Sequence, residues 1–173
     1  MRSRLLLIGG RSGVGKTTAA LALHERLRHL KVRHAVVEGD YLDLAVPAPH
    51  EIYPDAHLAE RNLGAIWPNF RELGYRRLIF TNTASVIFSA EIALAMGDDP
   101  IVTSVLLRST DSTARERLER RGSGEAQEGD VAHSSRTADW LDRDTPRDTH
   151  RIDTDDRSPQ EIATLLHEIV DWN

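Results

Sequence analysis

Apolar residues fall into short dense runs alternating with stretches of helical period. Residues 4–9, carrying Leu5-Leu6-Leu7-Ile8, read as a first buried strand. Residues 16–30 follow as a helix, with Leu23, Leu27 and Leu30 on one face. A second strand covers 34–38 and ends in Gly39-Asp40, after which Pro47, Pro49 and Pro54 break regular structure. Helical spacing resumes near Ala56 with Leu63, Ile66, Phe70 and Leu73, and Pro68 is expected to kink or divide that helix. Residues 77–80 form a third strand, 84–96 an apolar helix stopped by Gly97, and 101–107 a fourth strand. A basic helix at 112–121 leads into a loop at 122–133, a short helix at 134–142 and a last strand at 149–152. Ser158-Pro159-Gln160-Glu161 opens the final helix as a capping box, with Ile162, Leu165, Leu166 and Ile169 as its buried stripe. Short strands separated by helices predict an α/β fold, a parallel sheet covered on both faces. At 173 residues with no repeat and no dividing linker, one domain over 1–173 is expected.

Between the first strand and first helix, Gly10-Arg11-Ser12-Gly13-Val14-Gly15-Lys16-Thr17 completes G-x-x-x-x-G-K-[ST]. The strand–loop–helix setting makes this a phosphate-binding loop: glycines let backbone N–H groups approach phosphate oxygens. Lys16 is placed for the β- and γ-phosphates and the Thr17 hydroxyl for Mg²⁺, while Gly10, Ser12, Gly13, Val14, Gly15 and Thr18 complete the expected nucleotide cradle. Composition sharpens this reading. Only Lys16 and Lys31 are lysine among 22 basic residues, so a chain that otherwise uses arginine places a compact ammonium here.

Asp40, just past the second strand, is the candidate group for accepting a proton from a substrate hydroxyl or holding Mg²⁺ through water. Glu38 shares its side of the strand and competes for the same role. Arg115, Arg117, Arg120 and Arg121, with Arg136 and Arg143 beyond the loop, are candidates to neutralise charge on the transferred phosphoryl group. The alternative is a solvated face paired with Glu116 and Glu119. Trp67, Phe70 and Tyr75 line either an acceptor pocket or the core.

Several classes are excluded. A net charge of −5 argues against bulk nucleic-acid binding, and the absence of cysteine removes disulfides, thiolate zinc sites and thiol catalysis. There is no G-x-S-x-G elbow, no H-E-x-x-H and no N-K-x-D guanine element. The third strand ends in Thr81-Asn82 without the acidic residue of a motor ATPase. No stretch matches a membrane span, so a cytoplasmic location is expected, with no membrane partner.

Together these residues resemble the small P-loop kinases related to nucleoside-monophosphate kinases: shikimate, gluconate and adenylylsulfate kinases, chloramphenicol phosphotransferase, and ATP-binding proteins of tunicamycin resistance. The resemblance runs from residues 10–17 through Glu38-Gly39-Asp40 and the Arg117-Leu118 region to Arg151-Ile152-Asp153-Thr154. It implies a P-loop NTPase three-layer sandwich, with a five-stranded parallel sheet in the order 2-3-1-4-5. It also implies ATP and Mg²⁺ as cofactors, Lys16, Asp40 and Arg120 as catalytic groups, and Thr17 and Asp40 at the metal. An arginine of that region, Arg117 or Arg120, would flank adenine or enter the lid, and the turn 153–157, including Arg157, would border adenine. The acceptor region would span about 41–75 and a lid about 122–135. The expected activity is transfer of the γ-phosphate to a small-molecule hydroxyl, an antibiotic or other secondary metabolite being one candidate acceptor. Two alternatives stand open: a nucleotide or nucleoside kinase whose acceptor phosphate meets Arg61, Arg71 or Arg76, and a non-catalytic ATP-binding resistance or regulatory protein. A monomer or homodimer fits either.

Overall fold

The alternation Leu5/Leu7 against Leu6/Ile8 in the first strand, β1 (Arg4–Gly9), sends successive side chains into two different cores. A computed structural model describes residues 2–121 and 128–173. In it β1 lies at the centre of a five-stranded parallel sheet of order 2-3-1-4-5, as the resemblance implied. Its partners are β3 (Arg77–Thr81) and β4 (Ile101–Arg108), with β2 (Ala35–Glu38) and β5 (His150–Asp153) at the edges.

One face of the sheet packs Leu6, Ile8, Val105 and Ile152 against α1 (Lys16–His29) and α7 (Pro159–Val170). Helix α7 starts from the expected capping box, with Glu161 N–H donating to Ser158 Oγ and Ser158 N–H donating back to Glu161. The other face packs Leu5, Leu7, Leu78 and Phe80 against α3 (Leu58–Glu72) and α4 (Ser89–Met96). Each fully buried aliphatic side chain in these layers contributes roughly 1.5–3 kcal/mol. Between β2 and α3 lie a 3₁₀ turn at Gly39–Tyr41, the one-turn helix α2 (Pro49–Ile52) and a second 3₁₀ turn at Pro54–Ala56.

Three elements differ from the sequence-based expectation. Pro68 does not divide α3, because the helix is held on both sides of it: Leu63 and Trp67 are buried in the sheet core before it, Phe70 packs against the same core after it, and the helix continues to Glu72. The helix expected from residue 84 starts only at Ser89. Asn82 turns the chain first, its side-chain oxygen accepting from Ala84 N–H, and Val86 is buried against Gly9. The loop expected at 122–133 is helical from Glu128, where α6 (Glu128–Asp144) begins after α5 (Asp111–Arg121). Its inward residues Val131, Ser134, Ala138 and Leu141 follow a helical period, but two are small and one is polar, so hydrophobicity alone hid the stripe. Residues 122–127 of the expected lid lie outside the described residues.

Trp67, Phe70 and Tyr75 form an aromatic row, with centroids 6.2 and 5.9 Å apart: Trp67 lies in the core, Phe70 packs against it, and Tyr75 is half-buried at the end of the row. Trp67→Ala is expected to lower the unfolding free energy by about 3–5 kcal/mol. Trp67→Phe should cost less, because it also removes a buried indole N–H that has no acceptor among the described residues. Chemical denaturation of both variants checks this; equal losses would contradict it.

Candidate active site

The loop between β1 and α1 is bent by three glycines in the left-handed half of backbone space: Gly10 (φ 144°), Gly13 (φ 84°) and Gly15 (φ 100°). Two are also pressed from outside. A Cβ on Gly10 would sit 2.7 Å from the Leu107 carbonyl oxygen, and one on Gly13 would sit 2.7 Å from that of Ala114. Helix α1 starts at Lys16, so its first-turn N–H groups have no intrahelical acceptors and, with the loop amides, form a positive cradle. Val14 is buried beneath the loop, whereas Ser12, Thr17 and Thr18 lie on its exposed side.

Lys16 is 8% exposed, and its ammonium donates to Gly10 O at 2.9 Å and to Thr83 Oγ1 at 3.3 Å. Asp40 Oδ2 lies 3.8 Å from the same nitrogen. Asp40 reaches this place through the 3₁₀ turn, which Gly39 permits: a Cβ there would lie 2.4 Å from the Phe80 ring. The other Asp40 oxygen accepts from Asn82 Nδ2 at 2.8 Å and from Thr83 N–H at 3.2 Å. Burial pushes the Asp40 pKa above the ordinary carboxylate value, outweighing the Lys16 charge and the Thr83 bond, while Glu38 and Asp43 push it up further.

Glu38 stands apart from this pair. Thr17 Oγ1 donates to its Oε2 at 2.6 Å, and its Oε1 is buried with no partner among the described residues. A threonine hydroxyl beside a carboxylate with an unused oxygen is the hard-oxygen donor set that suits Mg²⁺ bound partly through water. No cluster of three or more His, Cys, Asp or Glu suited to a metal occurs among the described residues, so most of the shell would come from phosphate and water.

On the other side of the loop a cavity of about 300 Å³ is lined by Val14, Thr18, Arg117, Arg120, Arg157 and Ile162. Arg117 frames it as a clamp. Its guanidinium donates to Val14 O, Thr154 Oγ1 and Thr154 O, each at 2.9 Å, tying the loop to the turn before α7. Arg120 at the rim is well exposed and paired with Glu116 at 3.4 Å. Arg157 is exposed at the opposite rim. Asp153 faces elsewhere, pairing with Arg108 at 2.9 Å. Arg115 and Arg136 are exposed, Arg143 pairs with Asp144, and the Arg121 side chain lies outside the described residues.

The three acceptor arginines considered from the sequence do not gather here. Arg71 pairs with Asp98 at 3.2 Å, and Arg76 donates to the carbonyls of Arg71 and Tyr75, just before β3. Both therefore lie at the amino ends of the parallel strands, opposite the phosphate loop. Arg61 lines a separate groove between α3 and α4 with Glu60 and Glu91.

One residue of the loop escaped sequence reasoning. Arg11 is 3% exposed; its Nε donates to Ser134 Oγ at 2.9 Å, and Nη1 pairs with Asp111, holding that carboxyl below its usual range. Ser134 Oγ in turn donates to Ser12 O at 2.9 Å. These bonds lock the loop to α5 and α6 across 100 to 123 residues of sequence.

A family model described as an AAA domain matches residues 6–142, and the chain belongs to that family. No curated protein matches the sequence. Among solved structures the chain is similar to the Deinococcus radiodurans tunicamycin resistance protein, with a TM-score of 0.71, 23% identity, and coverage of 99% of this chain and 98% of that one. It is also similar to a gluconokinase from Sinorhizobium meliloti 1021, with a TM-score of 0.64, 17% identity, and coverage of 99% and 94%. A third is the Mycobacterium tuberculosis APS kinase CysC in complex with AMPPNP and APS, with a TM-score of 0.60, 18% identity, and coverage of 98% of each. The resemblance to small P-loop kinases thus holds at the level of fold. No helix among the described residues is long and apolar enough to cross a membrane.

Arg117→Lys keeps the charge but cannot form the three-bond fork, and is expected to destabilise the protein by about 1.5–3 kcal/mol. Urea denaturation checks this; an unchanged midpoint would show that the clamp contributes nothing.

Proposed function

We propose that this chain is an ATP-dependent phosphotransferase that moves the γ-phosphoryl group to a hydroxyl of a small molecule. The observation that carries the proposal is the meeting of the Lys16 ammonium and the Asp40 carboxylate, 3.8 Å apart, at one end of a phosphate loop. The Arg117-framed cavity at its other end supplies room for a base. The similarity to gluconokinase and to an APS kinase solved with AMPPNP supports the same reading.

In this reading the loop amides and the start of α1 hold the triphosphate, and adenine enters the cavity between Val14 and Ile162. Lys16 follows the phosphoryl group as charge develops on its oxygens. The acceptor hydroxyl oxygen attacks the γ-phosphorus, the bond to the β–γ bridging oxygen breaks, and ADP leaves. Asp40 takes the hydroxyl proton, a role that its raised pKa favours. Bound Mg²⁺ supplies neutralisation of the phosphate oxygens, and Thr17 with Glu38 would hold it. The metal role expected of Asp40 passes to Glu38, because Asp40 is engaged with Lys16, Asn82 and Thr83. Arg120 needs only to leave Glu116, an exposed pair of little stability, to swing over the phosphates. Cytoplasmic ATP would supply the donor.

Asp40→Asn is expected to lower kcat by about 10²–10⁴-fold while leaving the KM for ATP little changed. The wild-type activity should fall as pH drops through the raised Asp40 pKa, so the acidic limb lies above the ordinary carboxylate range. Full activity in the variant, measured by coupled ADP release, would rule out Asp40 as the base. Glu38→Gln is expected to raise the Mg²⁺ concentration needed for half-maximal activity with little change in metal-free nucleotide affinity; an unchanged Mg²⁺ titration would remove Glu38 from that role.

A further inference from the structure

The chain carries 22 lysines and arginines, yet none falls between Arg33 and Arg61. That interval holds six carboxylates, Glu38, Asp40, Asp43, Glu51, Asp55 and Glu60, and includes the segment that continues directly from the candidate base. The same segment is unusually apolar on its outside. Of the twelve exposed large apolar side chains among the described residues, five lie within residues 41–53: Tyr41, Leu44, Val46, Ile52 and Tyr53, between 50% and 99% exposed. Single exposed apolar residues are ordinary, but five within thirteen positions of sequence, directly after the candidate base, are a concentration that calls for a partner. The segment is anchored at one end, where Leu42 packs against the α3–α4 core and its carbonyl accepts from Asn62 Nδ2 at 2.5 Å.

An acceptor bearing phosphate or carboxylate needs cationic partners, as Arg–phosphate and Arg–carboxylate chemistry requires. Here Arg71 and Arg76 are spent at the opposite end of the sheet, and Arg61 sits in a groove shared with Glu60 and Glu91. We infer that the acceptor is a hydroxyl compound with an apolar body and no negative charge, neutral or amine-bearing, seated on the 41–53 segment beside Asp40. This rests on the phosphotransferase reading for the word acceptor, but the surface and its charge preference stand on their own geometry. It separates the two enzyme readings left open by the sequence, since a nucleotide acceptor would bring its phosphate into this acidic field. Like-charge contact of that kind costs enough to reject a ligand.

The test uses three probes with one benzyl alcohol body and different charge: 4-(hydroxymethyl)benzoate, 4-(hydroxymethyl)benzamide and 4-(aminomethyl)benzyl alcohol. Each is titrated by NMR into the full chain loaded with Mg²⁺ and a non-hydrolysable ATP analogue. The amide and the amine are expected to bind at least about tenfold tighter than the carboxylate, with the amine's advantage shrinking as salt is added. The combined change D43N/E51Q/D55N should reduce the preference for the amine, and Tyr41→Ala with Tyr53→Ala should abolish binding of all three without altering nucleotide affinity. Equal or tighter binding of the benzoate, failure of both other probes to bind, or indifference to the tyrosine changes would overturn the inference. If the binding order holds but no hydroxyl compound ever receives phosphate from ATP, the phosphotransferase reading fails and the charge preference stands.

Discussion

A loop that binds phosphate through its backbone must keep its amides turned inward before the ligand arrives, and the contacts around residues 10–17 meet that constraint. The loop cannot hold the shape alone, because left-handed glycines are as free to leave such a conformation as to adopt it. Here it is clamped on three sides. The carbonyls of Leu107 and Ala114 press on Gly10 and Gly13, Arg117 ties Val14 to Thr154, and Arg11 ties the loop to α5 and α6. Lys16 closes the fourth side by bonding the loop's own carbonyl at Gly10. The cradle is thus preorganised, which spares a bound phosphate the cost of ordering it.

The sheet explains why the candidate groups meet. Parallel order 2-3-1-4-5 brings the carboxyl ends of β1, β2 and β3 to one edge, delivering the phosphate loop, Glu38-Gly39-Asp40 and Asn82-Thr83 together. At that edge two carboxylates take different partners. Glu38 sits on the threonine hydroxyl and Asp40 on the lysine ammonium, because the 3₁₀ turn at Gly39 rotates the chain between them. One carboxylate is left suited to a metal shell and the other to a proton.

Much of this was legible in the sequence, for identifiable reasons. The phosphate loop, the capping box at Ser158 and the strand alternation are local patterns in which a few adjacent residues carry the physics. What escaped depends on distance. The role of Arg11 is invisible without Asp111 and Ser134, which lie 100 and 123 residues away. That Glu38 meets the Thr17 hydroxyl while Asp40 meets Lys16 depends on the turn geometry. The placement of Arg71 and Arg76 needs to know which end of the sheet they face. The helical start of α6 escaped because its buried stripe is made of small and polar side chains.

The central claim is that the loop of residues 10–17 grips a triphosphate. Isothermal titration of Mg·ATP into the purified chain measures it most directly, with Lys16→Met as the comparison. One binding site per chain is predicted, strongly weakened in the variant while the fold, followed by circular dichroism, stays intact. No heat of binding in the wild-type chain, or equal affinity in the two proteins, would contradict the account.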